Sequence, residues 1–344
     1  MDIYRLLRLN QRIKSHRVKF LGLWLLSVLD KRYLSIQMDP VLACNLRCKM
    51  CYFTDADFVR KNMKGMFKED DLEPMANAIF KNALKLQIGC GAEPTLFKHN
   101  TRLITLAKAH GVPYISMITN GNLIDAADVD AFAEAGLDEM ILSVHGVKKE
   151  TYEDLMDKGD FTKFHQILLA VTDAKNRFPN LRLRMNYTFN EDNFYELEQF
   201  FDVFGMYAID IIQLRPIDKI GETTYDNFSL KKIETDYVRI SSQMKSESEK
   251  RNITLLYPQS VTRNEQESLK VRTANDSSYL IPYTYFYISP RDAWKEGFDW
   301  RSETFSDWRK RTKWSSELFK NVFVSRKKLE SENRNMLNYS VEIN

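Results

Sequence analysis

The chain of 344 residues carries 50 Lys and Arg against 47 Asp and Glu, a net charge of +3, with 44% hydrophobic and 28% charged residues. That balance is an ordinary globular one that speaks against wholesale disorder, and so small a positive excess does not by itself argue for a nucleic-acid binder. Four cysteines are too few for a disulfide scaffold of this size, and 12 glycines exclude a collagen-like or Gly-rich linker protein.

Residues 1–33 form a basic and apolar helical segment. Arg5, Arg8, Arg12, Lys14, Arg17 and Lys19 lead into the apolar run from Phe20 to Leu29, about half the roughly 20 residues a bilayer crossing requires. The order resembles a signal peptide, but Asp30-Lys31-Arg32-Tyr33 follows without a small-residue cleavage pattern. A docking helix is the favoured reading, and a basic amphipathic helix making peripheral contact with a membrane is the second.

Strands and helices then alternate. Leu34 to Met38 reads as a strand, 70–84 as a helix and Lys85 to Ile88 as a strand. Leu96 to His110 reads as a helix, Tyr114 to Ile118 as a strand, Asp125 to Ala135 as a helix and Met140 to Val144 as a strand. A helix over 160–177, a strand over Leu181 to Thr188, a helix over Asn193 to Phe204 and a strand over Ile209 to Leu214 complete the series. Six strands separated by helices imply an α/β fold with parallel strands, a partial (β/α)6 TIM-like barrel over 34–222. Residues 223–344 read as an α+β extension, with a long helix over Ser229 to Lys250 and strands at Ile253 to Tyr257 and Ile281 to Ser289. Trp294, Trp300, Trp308 and Trp314 crowd the tail beside the basic run Arg309 to Lys313. Ordinary aromatic packing and a solvated charged face are the preferred readings of those two features.

Cys44, Cys48 and Cys51 follow the first strand with the spacing C-x3-C-x2-C. Three thiolates on a short loop can hold three irons of a [4Fe–4S] cluster and leave the fourth open to a ligand. Zinc bound with Cys90 as fourth ligand is the competing reading.

In this setting the chain resembles the radical S-adenosylmethionine (SAM) enzymes. Gly91-Ala92-Glu93-Pro94 after the second strand, Thr119-Asn120-Gly121 after the third, and Ser143-Val144-His145-Gly146 with Glu150-Thr151-Tyr152-Glu153 after the fourth match secondary motifs of that family. Asn190 with Asp192-Asn193 and Gln213-Leu214-Arg215-Pro216 match its fifth and sixth strand ends. The resemblance implies one [4Fe–4S] cluster on Cys44, Cys48 and Cys51, and SAM bound by Met50 at adenine, by Gly91, Ala92 and Glu93 at the methionyl amino group and by Ser143 at the ribose or carboxylate. Asn120, Asn186 and Arg215 either face the same cavity or satisfy local backbone groups, and the two readings stand level. It also implies reductive cleavage of SAM to a 5′-deoxyadenosyl radical, hydrogen abstraction, a flavodoxin- or ferredoxin-type electron donor and a cytoplasmic setting.

Three departures stand out: Ala92 for glycine, His145 for aspartate, and Leu155-Met156 where relatives often have an arginine. Cys90 is expected to be a small buried residue. Ile281 to Pro290 resembles the opening strand of a SPASM-type auxiliary-cluster domain, but no cysteine follows Cys90, so the region reads as a degenerate form. By analogy the substrate is a peptide or protein. A catalytically silent relative that binds a partner, or a zinc-stabilised binding protein, are the rival classes. The tail after Pro290 is expected to be dispensable for SAM cleavage and needed for substrate capture.

Overall fold

The computed structural model describes residues 3–219, 223–261, 277–293, 297–332 and 342–343. Two helices come first, α1 (Ile3–Arg12) and α2 (His16–Val28). Strand β1 (Leu34–Met38) runs into a loop holding the two-residue strand β2 (Arg47–Cys48) and helix α3 (Ala56–Asn62), whose opening amides are capped by the Asp55 carboxylate. Three helix–strand pairs follow: α4 (Glu69–Ile79) with β3 (Ala83–Ile88), α5 (Asn100–Ala109) with β4 (Ile115–Thr119), and α6 (Ala126–Ala135) with β5 (Glu139–Val144). Both ends of α6 obey local rules: Asp125 caps the first turn, and Gly136 closes the last at φ 107°. Next come α7 (Lys149–Leu155), β6 (Met156–Asp157), α8 (Phe161–Arg177), β7 (Arg182–Phe189), α9 (Phe200–Phe204) and β8 (Ile211–Pro216). The last third adds α10 (Glu234–Lys250), β9 (Thr254–Tyr257), α11 (Ile281–Thr284), β10 (Tyr285–Ile288), α12 (Phe305–Arg311), α13 (Trp314–Lys320), α14 (Arg326–Glu332) and β11 (Glu342–Ile343).

One sheet organises the molecule in the order β10-β1-β3-β4-β5-β7-β8-β9-β11, parallel throughout except for β9 against β11. The six expected strands lie side by side in chain order, and the fold is α/β. Two strands from the last third, β9 and β10, extend the two edges of that sheet. Parallel strands cannot be joined by hairpins, so each connection returns over the back through a helix. Every loop that follows one of the six strands therefore opens at the same edge of the sheet.

The structure revises several element boundaries. The helix expected over 70–84 is α-helical only to Ile79 and tightens into a 3-10 turn over Phe80–Asn82, where the Asn82 side chain donates to Asp30 at 3.0 Å and its carbonyl accepts from the Tyr33 amide. The strand expected from Ile281 begins only at Tyr285, since Pro282 sits in the first turn of α11. Over 193–204 a 3-10 turn (Phe194–Gln199) precedes the short α9. Helices α3 and α7 and the tail helices have no counterpart in the sequence reading.

The tail is core. Trp300 and Trp308 are buried in the main apolar cluster, Trp308 stacks on Phe305, and Trp314 packs at 5.3 Å from Trp308. Trp294 lies outside the described residues. Arg309, expected on a solvated face, is 5% exposed and pairs with Asp30 at 2.8 Å while donating to the Ser27 carbonyl. These contacts weigh against the expectation that residues after Pro290 are dispensable for SAM cleavage. Burying a large apolar side chain is worth about 1.5–3 kcal/mol, and a domain's whole stability is about 5–15 kcal/mol. A chain ending at Pro290 loses Phe298, Trp300, Phe305 and Trp308 together, so it should be insoluble. Trp308→Phe should fold with a lowered Tm; soluble, cooperatively melting truncated protein would contradict this packing.

Candidate active site

The loop after β1 carries Cys44, Cys48 and Cys51, all half-buried and free. Backbone contacts brace it on every side. Strand β2 pairs antiparallel with β6, setting Cys48 opposite Met156, and the Lys49 amide donates to the Leu155 carbonyl at 3.0 Å. The segment that lacks the relatives' arginine thus holds the cysteine loop through its main chain. Arg47 donates to the Cys44 carbonyl at 2.8 Å, Thr54 to the Cys51 carbonyl at 2.7 Å, and Thr223 to the Lys49 carbonyl at 2.6 Å.

Burial pushes the Cys44 thiol up to about 12, and it raises Cys48 and Cys51 as well; for Cys48, negative charge on Cys44 and Cys51 adds to the shift. These thiols stay protonated until a cation compensates them. Among the described residues no three Cys, His, Asp or Glu side chains are grouped to hold a single metal ion. A zinc ion needs its thiolates gathered about one point at about 2.3 Å, whereas thiolates on separate irons of a cluster need not converge. The donor set, three thiols and no fourth on the loop, fits a cluster with one open iron.

Two carboxylates shape the neighbouring turn. Asp39, 1% exposed at the end of β1, accepts from the Cys90 amide at 2.7 Å, the Gly91 amide at 3.0 Å and the Tyr287 hydroxyl at 2.9 Å. The sequence reading missed it; its only signal is parity with Ser35 and Gln37 on β1. Gly91 sits so close to the Tyr52 hydroxyl that an added Cβ would approach it to 2.7 Å, while that hydroxyl donates to the Gly91 carbonyl. Glu93, 2% exposed, accepts from the Thr95 amide at 3.1 Å and hydroxyl at 2.5 Å, the Thr119 hydroxyl at 2.7 Å and the Asn120 amide at 2.9 Å. Its carboxylate is engaged by protein donors and ties the turn after β3 to the turn after β4.

Other expected residues sort by position. Asn120 donates to the Asn45 side chain at 2.9 Å and so links the turn after β4 to the cysteine loop. Met50 is 3% exposed and packs within the apolar core. Ala92 is half-buried. Ser143, Asn186 and Gln213 stand in register across β5, β7 and β8. Asn186 accepts from the Arg184 side chain at 2.8 Å, and Arg215, two residues beyond Gln213 and so on the same face, is exposed. Among the described residues the Ser143 hydroxyl and the Arg215 guanidinium make no hydrogen bond or ion pair, although the Arg215 charge is felt by His145 and Cys90. Cys90, expected to be buried, is exposed at the rim, its thiol 3.6 Å from the Tyr285 hydroxyl. A cavity of about 360 Å³ opens here, lined by Asp39, Tyr52, Cys90, Gly91, Tyr285 and Tyr287.

Residues 38–202 match the radical SAM superfamily model. They are a radical SAM domain. The superfamily of that domain implies a [4Fe–4S] cluster and SAM. A probable GTP 3′,8-cyclase of Metallosphaera sedula is 24% identical over 203 residues, covering 58% of this chain and 61% of the relative. SuiB of Streptococcus suis, in a crystal structure bound to precursor peptide SuiA, superposes with a TM-score of 0.57 at 14% identity, over 80% of this chain and 64% of that one. The same protein bound to S-adenosylmethionine gives 0.53 at 16% identity, over 76% and 59%. The chain therefore spans less than two thirds of the length of either protein. Among the described residues no helix is long and apolar enough to cross a membrane.

Two predictions follow from the braces. Glu93→Gln puts an amide donor against donors, so the variant should lose roughly 1–3 kcal/mol of stability, read as a lower Tm; an unchanged Tm would contradict the brace. His145, beyond β5, is held neutral: burial, reinforced by the Arg215 charge, pushes its imidazole down to about 3. Its contribution to stability is then complete above the unfolded value near 6.5 and is lost as pH falls from there toward 3. His145→Gln should flatten the fall in Tm between about pH 6.5 and about pH 4.5; an identical slope in the variant would assign the acid sensitivity elsewhere.

Proposed function

We propose that this chain holds one [4Fe–4S] cluster through Cys44, Cys48 and Cys51, cleaves SAM reductively, and abstracts hydrogen from an unactivated carbon of a peptide or protein. The observation that carries the reading is the placement of three free thiols at the carboxyl end of β1, on the edge where the loops of all six strands open. When bound, the cluster and SAM supply the one-electron cleavage and the radical that takes the hydrogen.

The chain's own residues position and compensate. Asp39 and Tyr52 fix the Gly91 turn, leaving the Ala92 carbonyl, which accepts no hydrogen bond among the described residues, as the acceptor for the methionyl ammonium. Arg215 offers the cation for the SAM carboxylate that the segment at Leu155-Met156 lacks, and Ser143 a hydroxyl for the same group or the ribose. A flavodoxin- or ferredoxin-type donor in a reducing cytoplasm fits thiols that must stay unoxidised. Support for a peptide comes from the fold shared with SuiB, which is bound to precursor peptide SuiA in its crystal structure. A guanine nucleotide is the second reading, drawn from the name of the sequence relatives.

After anaerobic reconstitution, Cys44→Ala, Cys48→Ala and Cys51→Ala should each lose the visible absorption of a thiolate-bound cluster, whereas Cys90→Ala keeps it. Loss of the cluster in Cys90→Ala as complete as in Cys44→Ala would overturn the ligand set. Arg215→Met should keep the cluster and weaken SAM binding roughly tenfold or more. GTP consumption without peptide modification would replace the peptide reading by the nucleotide one.

A further inference from the structure

Residues 3–29 contain six Lys and Arg and no Asp or Glu, while the whole chain is only +3, so the rest of the molecule is net negative. Charge this segregated marks an interaction segment more than a solvated surface. Helix α2 is apolar on nearly every side yet buried on one. Phe20 packs on Tyr279 and Tyr283, and the Ser27 hydroxyl meets that of Ser315 at 2.8 Å. On the other side Val18, Leu21, Leu25, Val28 and Leu29 are 47–55% exposed. At about 100° per residue these five positions fall within about 120° of arc.

Single exposed leucines carry no meaning, but an aligned stripe does. The stripe continues onto the neighbouring helix: Trp24 packs on Phe319 at 5.1 Å, and Phe319 on Phe323, itself 71% exposed. At its leading end Arg12, Lys14 and Arg17 are exposed, with no ion pair among the described residues. Helices α1 and α2 sit where the strands begin: Leu6, Leu7, Leu23 and Leu26 line a cavity of about 820 Å³ together with Ser35 and Lys85, the far end of the sheet from the cysteines.

We propose that this face lies on an anionic bilayer surface, with the α2 stripe and the Phe319–Phe323 edge in the boundary between headgroups and acyl chains and Arg12, Lys14 and Arg17 on lipid phosphates. Charge selects this occupant. Two copies meeting through the stripe would bring like charges together, and the segment supplies no acidic group to answer them. A bilayer satisfies both halves of the pattern at once. The candidate active site, at the opposite end of the strands, stays open to substrate.

The test uses the full chain and co-sedimentation with vesicles of phosphatidylglycerol and phosphatidylcholine at roughly 1:2, against phosphatidylcholine alone, in physiological salt. The wild-type protein should sediment with the anionic vesicles and stay in solution with the neutral ones. Leu21→Ser with Leu25→Ser, and separately Arg12→Gln with Lys14→Gln and Arg17→Gln, should each weaken binding at least about tenfold while keeping the wild-type melting curve, since all five side chains are exposed. No binding to anionic vesicles, or equal binding by both variants, overturns the proposal. So does a concentration-dependent dimer that the leucine variant abolishes without vesicle binding, which assigns the stripe to a second copy.

Discussion

Parallel pairing is the constraint on which the rest of this molecule depends. Neighbouring strands that run the same way must be connected over the back of the sheet, so the helices go there and the loops that follow the strands share one edge. The motif residues are distant in sequence, from Asp39 to Arg215, yet that single topological fact brings them to one mouth. Within each strand the period of two separates roles again. On β5 and β7, Ser143 and Asn186 look across one face in register, while the alternate positions supply core residues such as Leu142 and Met185.

Buried carboxylates then fix the mouth. Asp39 joins β1, the turn after β3 and the edge strand β10 through three donors. Glu93 joins the turns after β3 and β4, and Asn120 passes that order on to the cysteine loop. Burial raises the proton affinity of both carboxylates even against their hydrogen bonds, which shows how far these groups are withdrawn from water. Such placement costs stability locally and returns rigidity, the property a cluster loop and a cofactor turn require.

The sequence made the six core strands legible because buried parallel strands read as short apolar runs bounded by glycine, proline and asparagine. Their order and the cysteine loop were equally plain. The tail was not: nothing local announces that Arg309 reaches Asp30, or that Trp300 and Trp308 complete a core laid down by residues some two hundred positions earlier. The same holds for the surroundings of Glu93, Met50 and Cys90, which are set by tertiary contacts that their motifs do not announce. Asp39 went unnoticed because an aspartate before a proline also reads as an ordinary turn residue.

The measurement that bears most directly on the central claim is anaerobic reconstitution with iron and sulfide, followed by incubation with SAM and a strong reductant. The account predicts a four-iron cluster and the appearance of 5′-deoxyadenosine and methionine in equal amounts, both lost in Cys48→Ala. A chain that fills its cluster yet leaves SAM intact, or that takes up zinc and no iron, would contradict it.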